Sequence, residues 1–97
     1  MWTTMEAKLQ TQIIKWLRSK GAFAFKTHPG LGTPTGTADI FFCKEGFYGW
    51  LEVKGARNSK RQPGQERFVE KMDDWSFARF VWPENWPEIK AELEPML

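Results

Sequence analysis

Two apolar runs joined by a very short turn constrain this chain more than any other feature. ADIFFC (38–43) and YGWLEVK (48–54) are rich in aromatic and β-branched residues and read as strands. Lys44-Glu45-Gly46-Phe47 between them suits a tight antiparallel turn. With a two-residue turn centred on Glu45-Gly46, Asp39 falls directly opposite Glu52. Lys54, two residues beyond Glu52, points to the same face, as do Phe41 and Trp50. Both faces of this hairpin carry apolar residues, which predicts a largely buried position inside a sheet covered by helices.

The register brings three ionisable groups together, because Cβ atoms of directly opposed residues lie roughly 4.5–5.5 Å apart. Two carboxylates that close repel one another unless a proton or cation lies between them. Buried charges need partners. Mg²⁺ meets that need, since it takes one or two carboxylates, keeps water and binds phosphate. An acid-x-Lys strand also suits a surface ion pair on an edge hairpin. Phe41 and Trp50 on the same face argue instead for partial burial.

The flanking sequence supplies helices. Leu9, Ile13, Trp16 and Leu17 form an apolar stripe at helical spacing over 4–19, with Thr3 or Thr4 as cap and Gly21 at the end. AFAFKT (22–27) reads as a strand, and HPGLGTPTGT (28–37) as a loop. After the hairpin comes the polar, basic loop GARNSKRQ (55–62). Pro63 then suits the first turn of a helix, which Phe68, Val69, Met72 and Trp75 extend over 63–74. A short strand over 77–82 and an acidic helix over 86–93 complete an α-β-β-β-α-β-α order. The expected architecture is α/β: a mixed central sheet flanked by helices, in one domain spanning 1–97.

Charge is distributed unevenly. Most of the 14 Lys and Arg lie before residue 66, where the acids are only Glu6, Asp39, Glu45 and Glu52. A basic surface around a focused acidic centre suits a polyanion held through metal ions. One cysteine, Cys43, excludes an intramolecular disulfide and is compatible with a reducing cytosol. No apolar run approaches the roughly 20 residues of a membrane span, so no membrane partner is expected.

Other residues have two readings each. Glu6 lies at the centre of the Leu9–Ile13–Leu17 stripe, which points it toward the carboxylates. Thr3-x-x-Glu6 also fits a capping box. His28, the one histidine, suits a phosphate contact, a proton carrier or a structural loop position. Lys54, Arg57, Lys60 and Arg61 form an acid-free basic stretch beside the site, suited to backbone phosphates. Lys26 and the Gly/Pro loop are further candidates for phosphate contact. Trp75, Trp82 and Trp86 are candidates for a subunit interface or for the core.

Together these residues resemble the VRR-NUC branch of the PD-(D/E)XK nucleases. The matching stretches are Glu6-x-x-Leu9-Gln10-x-x-Ile13-Ile14-x-Trp16-Leu17, Gly36-Thr37-Ala38-Asp39-Ile40, Leu51-Glu52-Val53-Lys54, and Gln65 at a helix start. The family has Pro where this chain has Ala38, and a Ser-Pro-x-Gln helix start where it has Gln62-Pro63-Gly64-Gln65. The resemblance implies a restriction-endonuclease-like αβββαβ core and hydrolysis of DNA phosphodiesters with Mg²⁺ or Mn²⁺. It implies metal ligation by Asp39, Glu52 and the Val53 carbonyl, supported by Glu6. Lys54 would position or deprotonate the attacking water, and Gln65 would orient Lys54 or that water. Stand-alone members, phage- or bacterium-encoded, resemble Holliday junction resolvases, which implies a cytoplasmic homodimer acting on branched DNA. A non-catalytic DNA-binding scaffold, or a nuclease for flaps, duplex ends or RNA, is the alternative.

Overall fold

The computed structural model describes residues 4–28 and 30–97. Its elements are α1 (Met5–Ser19), β1 (Phe23–Lys26), β2 (Ile40–Lys44), β3 (Phe47–Val53), α2 (Pro63–Trp75), β4 (Phe77–Val81) and α3 (Trp86–Leu93), followed by a short 3-10 turn, Glu94–Met96. Each lies within a residue or two of the expected boundaries. The four strands form one mixed sheet in the order β1-β2-β3-β4. β1–β2 and β2–β3 are antiparallel, while β3 and β4 run parallel.

The hairpin has the expected register. Lys44 pairs with Phe47, Phe41 with Trp50 and Ile40 with Leu51. The turn residues Glu45 and Gly46 both have positive φ, 48° and 87°. That is the backbone of a type I′ turn, whose twist matches the flanking strands.

The core lies on one face of the sheet. Ile40, Phe42, Leu51, Val53 and Val81 pack against Leu9, Ile13 and Leu17 of α1 and against Trp86, Ile89 and Leu93 of α3. Ala22 and Ala24 also face inward, while Phe23 and Phe25 face outward. Small inward residues let α1 lie close over β1. The opposite face is only half covered, because α2 packs over β3 and β4. The hairpin is therefore less buried than its composition predicts, and Tyr48 is exposed.

Two expectations need correction. The α1 cap is Thr4, whose Oγ1 accepts from the Ala7 amide at 2.9 Å. This frame places Glu6 in the first turn, one residue short of the capping-box position. The Thr3 alternative lies outside the described residues. Trp86 is buried, edge-on to Trp16 with centroids 5.5 Å apart, so it fills the core and offers no subunit surface. Trp82 is half-buried, and Trp75 is exposed with Lys71 over its ring.

Candidate functional site

Chain topology concentrates the candidate residues at one edge of the sheet. β3 ends at Val53, and the return to the parallel strand β4 is made by α2. The helix N-terminus must therefore lie beside the C-terminal end of β3, which brings Gln65 to Glu52 and Lys54. β2 is antiparallel to β3 and so begins at the same edge, where Asp39 precedes its first residue. β1 ends there as well, and the loop over 30–37 closes over the edge.

That loop is fixed to α2 by a glycine pair. Gly36 has φ +88°, and a Cβ there would lie 2.4 Å from the Gly64 carbonyl group. A side chain at Gly36 would thus meet backbone as well as an unfavourable conformation. This close approach sets the helix start, and with it Gln65, against the strand ends.

Glu52 is 2% exposed and Lys54 8%. Lys54 Nζ lies 3.6 Å from Glu52 Oε2. Gln65 bridges the two: its Nε2 donates to Glu52 Oε2 at 3.0 Å, and its Oε1 accepts from Lys54 Nζ at 2.9 Å. The Gln62 amide also donates to Gln65 Oε1, at 3.0 Å. A Glu52 acceptor on one side and two donors on the other fix the amide orientation. Asp39 Oδ2 accepts from the Val53 amide at 2.9 Å, which tethers the start of β2 to the end of β3.

This environment disfavours the Glu52 anion. Its pKa is pushed up to about 8, first by burial and then by the neighbouring Asp39 charge. Lys54 opposes that rise, while a side-chain hydrogen bond with Asp39 and the more remote charge of Glu6 add to it. Glu52 Oε1 is buried without a hydrogen-bond donor. A proton between the carboxyl groups satisfies the pair, and so does a divalent cation.

The residues present fit such a cation. The donor set is hard oxygen, the carboxylates are paired, and one buried oxygen lacks a partner. Glu6 is half-buried on α1 and acts on Glu52 through its charge. Among the described residues no group of three or more His, Cys, Asp or Glu side chains could hold a metal, so Glu6 does not complete a carboxylate trio. A cation here would draw on Asp39 and Glu52, with water and phosphate filling its remaining positions.

A cavity of about 450 Å³ opens over the site, lined by Asp39, Gln62, Gly64, Gln65 and residues of the 28–37 loop. Arg57 and Lys60 are exposed. Arg61 stacks on Phe80, 3.9 Å from the ring centroid. Phe80 is the β4 partner of Glu52, so this guanidinium stands over the same sheet face as the carboxylate. Lys26 and His28 are exposed near the other end of the edge.

Several features were not visible beforehand. Gln10, which the sequence shows only as part of the α1 motif, is buried one turn beyond Glu6. The Gly36–Gly64 contact joins residues distant in sequence, and nothing local marks it. Comparison of the chain with models of protein families, with curated proteins and with solved structures returns no match. No helix among the described residues is long and apolar enough to cross a membrane.

Proposed function

We propose that this chain is a Mg²⁺- or Mn²⁺-dependent nuclease that hydrolyses DNA phosphodiesters, built on the VRR-NUC plan with a restriction-endonuclease-like core. One observation carries the reading: a buried Glu52 carboxylate with an unpartnered oxygen faces Asp39, while Lys54 and Gln65 occupy its other side. A structural ion pair needs one acid and one base; the second acid here, though it accepts from the Val53 amide, repels Glu52 unless a proton or a cation lies between them.

Each residue has a task in this reading. Asp39 and Glu52 hold the cation, with the Val53 carbonyl as a further oxygen ligand. When bound, the cation offsets charge on the scissile phosphate and acidifies water. Gln65 holds the Lys54 ammonium at the carboxylate edge, where it positions the attacking water and stabilises charge on the phosphorane. Arg57, Lys60, Arg61 and Lys26 grip neighbouring phosphates, which sets position without reading sequence. Branched DNA is the preferred substrate, and a two-fold dimer supplies the second cut.

The test is incubation of purified protein with four-way junctions, flaps and duplexes in Mg²⁺ or Mn²⁺. Cleavage is expected on branched DNA, with loss in Asp39→Asn and Lys54→Ala while DNA binding persists. Symmetric paired nicks on an immobile junction would mark a resolvase, and a single nick beside a flap a repair-type enzyme. Intact DNA in every case would overturn the proposal. Salt-dependent binding indifferent to Mg²⁺ and to Asp39→Asn would identify a non-catalytic scaffold.

A further inference from the structure

The half-covered sheet face carries a continuous aromatic row immediately beside the carboxylates. Phe25, Phe41 and Trp50 are direct cross-strand neighbours on β1, β2 and β3. Their ring centroids are 5.7 Å and 4.8 Å apart, and Phe68 of α2 closes the far end edge-on to Trp50. The row is accessible at its β1 end, where Phe25 is 40% exposed and Phe23 65%. An edge strand with nothing to bind is ordinarily blunted by charged residues, not lined with rings.

Three observations say what occupies this face. First, the row lines a cleft of about 490 Å³ whose lining also includes Lys26 and His28 and no Asp or Glu. Planar rings with no acid beside them suit a flat aromatic group borne on a polyanion. Second, this cleft and the cavity over Asp39 share Thr27, Thr33, Pro34 and Thr37, so they meet along the 28–37 loop. Third, the carboxylates belong to the next row on the same face. Asp39 and Glu52 each lie two residues from Phe41 and Trp50, about 7 Å at strand spacing. Phosphates of one strand are spaced about 3.4 Å along a B-form axis and further apart in an extended single strand, so one or two nucleotides bridge the rows.

We infer that the Phe25–Phe41–Trp50 cleft is a stacking site for an unpaired base flanking the phosphate at the carboxylates. Assigning that phosphate as the scissile one rests on the nuclease reading, but base stacking itself does not. A paired base cannot present its face to a protein ring, so the site selects DNA with a single-stranded segment next to the bond to be cut. Flaps, gaps and frayed ends meet that condition; a four-way junction meets it only where bases at its crossover open, and continuous duplex does not. Aromatic stacking tolerates any base, consistent with the absence of a sequence-reading element.

Binding of the full chain to fluorescent oligo-dT about eight nucleotides long, measured by anisotropy in EDTA, tests this without any cleavage. The comparison ligand has the same length and charge but abasic sites in place of bases. Oligo-dT is expected to bind about tenfold more tightly than the abasic strand. Phe25→Ala should erase that ratio and Phe25→Trp should keep it. Circular dichroism of each variant checks folding, which truncation at a partly exposed edge position should leave intact. Equal affinity for both strands, or an unchanged ratio in Phe25→Ala, would overturn the inference. So would sedimentation showing that Phe25→Ala splits a dimer without altering the ratio, since a second copy would then occupy the face. A base preference without cleavage of any DNA would sink the nuclease reading alone, and cleavage without a base preference would sink this one alone.

Discussion

Replacing Glu52 by glutamine should stabilise the metal-free protein at pH 8 and leave it nearly unchanged at pH 4. In the folded chain Glu52 titrates near 8, against an ordinary value of 4.5. Between those values the native state holds a proton that the unfolded state has released. Stability therefore falls as pH rises, fully present below about 4.5 and fully lost above about 8. Each pH unit is worth about 1.4 kcal/mol, so the whole interval amounts to something on the order of 5 kcal/mol. Glu52 is 2% exposed, so solvent screening removes little of this. A domain of this size has roughly 5–15 kcal/mol in total, so the effect is measurable without unfolding the protein. The substituted amide keeps an oxygen for Gln65 Nε2 and presents an N–H donor where Glu52 carries its proton. Urea unfolding in EDTA at pH 5, 6, 7 and 8, followed by tryptophan fluorescence, reads the difference. Wild type should lose stability relative to Glu52→Gln by a few kcal/mol across the series. Parallel curves for the two proteins would show that Lys54 already neutralises Glu52, and the argument for a cation would lose its basis.

The remaining predictions concern how the site is held. Gly36→Ala should destabilise the fold by about 2 kcal/mol or more in thermal unfolding, since it adds a backbone clash to a positive φ. Gly64→Ala should be neutral or mildly stabilising, because its Cβ would meet nothing nearer than 3.6 Å and Ala favours a helix. Gln65→Glu should lower cleavage about a hundredfold or more while preserving the fold by circular dichroism, because a carboxylate replaces the donor to Glu52 Oε2. Glu45→Asn should raise stability by about 0.5–1 kcal/mol in urea titrations, since Asn tolerates the first position of the type I′ turn better than Glu.

The site was legible where geometry follows from local pattern. A two-residue turn between two apolar runs leaves one register, which the structure shows as far as the Ile40–Leu51 pair; Asp39, one residue before it, accepts from the Val53 amide beside Glu52. Gln65 entered through the family resemblance; its bond from the Gln62 amide is a local capping contact, and its bonds with Lys54 and Glu52 depend on tertiary packing. Residues that depend on distant partners were not legible. Alternation in AFAFKT marks a strand, but either side could face the core. Only the close seat of α1 on β1 makes the alanines inward and leaves Phe23 and Phe25 outside. The stripe on α1 gave Glu6 a direction but no distance; in the structure its charge raises the Glu52 pKa. Trp86 reads identically as core or surface until the position of α1 is known, because Trp16 is what it packs against.

The central claim is that Asp39 and Glu52 form a divalent-cation site, and calorimetric titration with Mn²⁺ near pH 7 tests it most directly. Repeating the titration in buffers of different ionisation enthalpy counts the protons released. The account predicts saturable binding that expels close to one proton, the one Glu52 otherwise holds, and that is abolished by Asp39→Asn. No binding, or binding that neither releases a proton nor depends on Asp39, would contradict it.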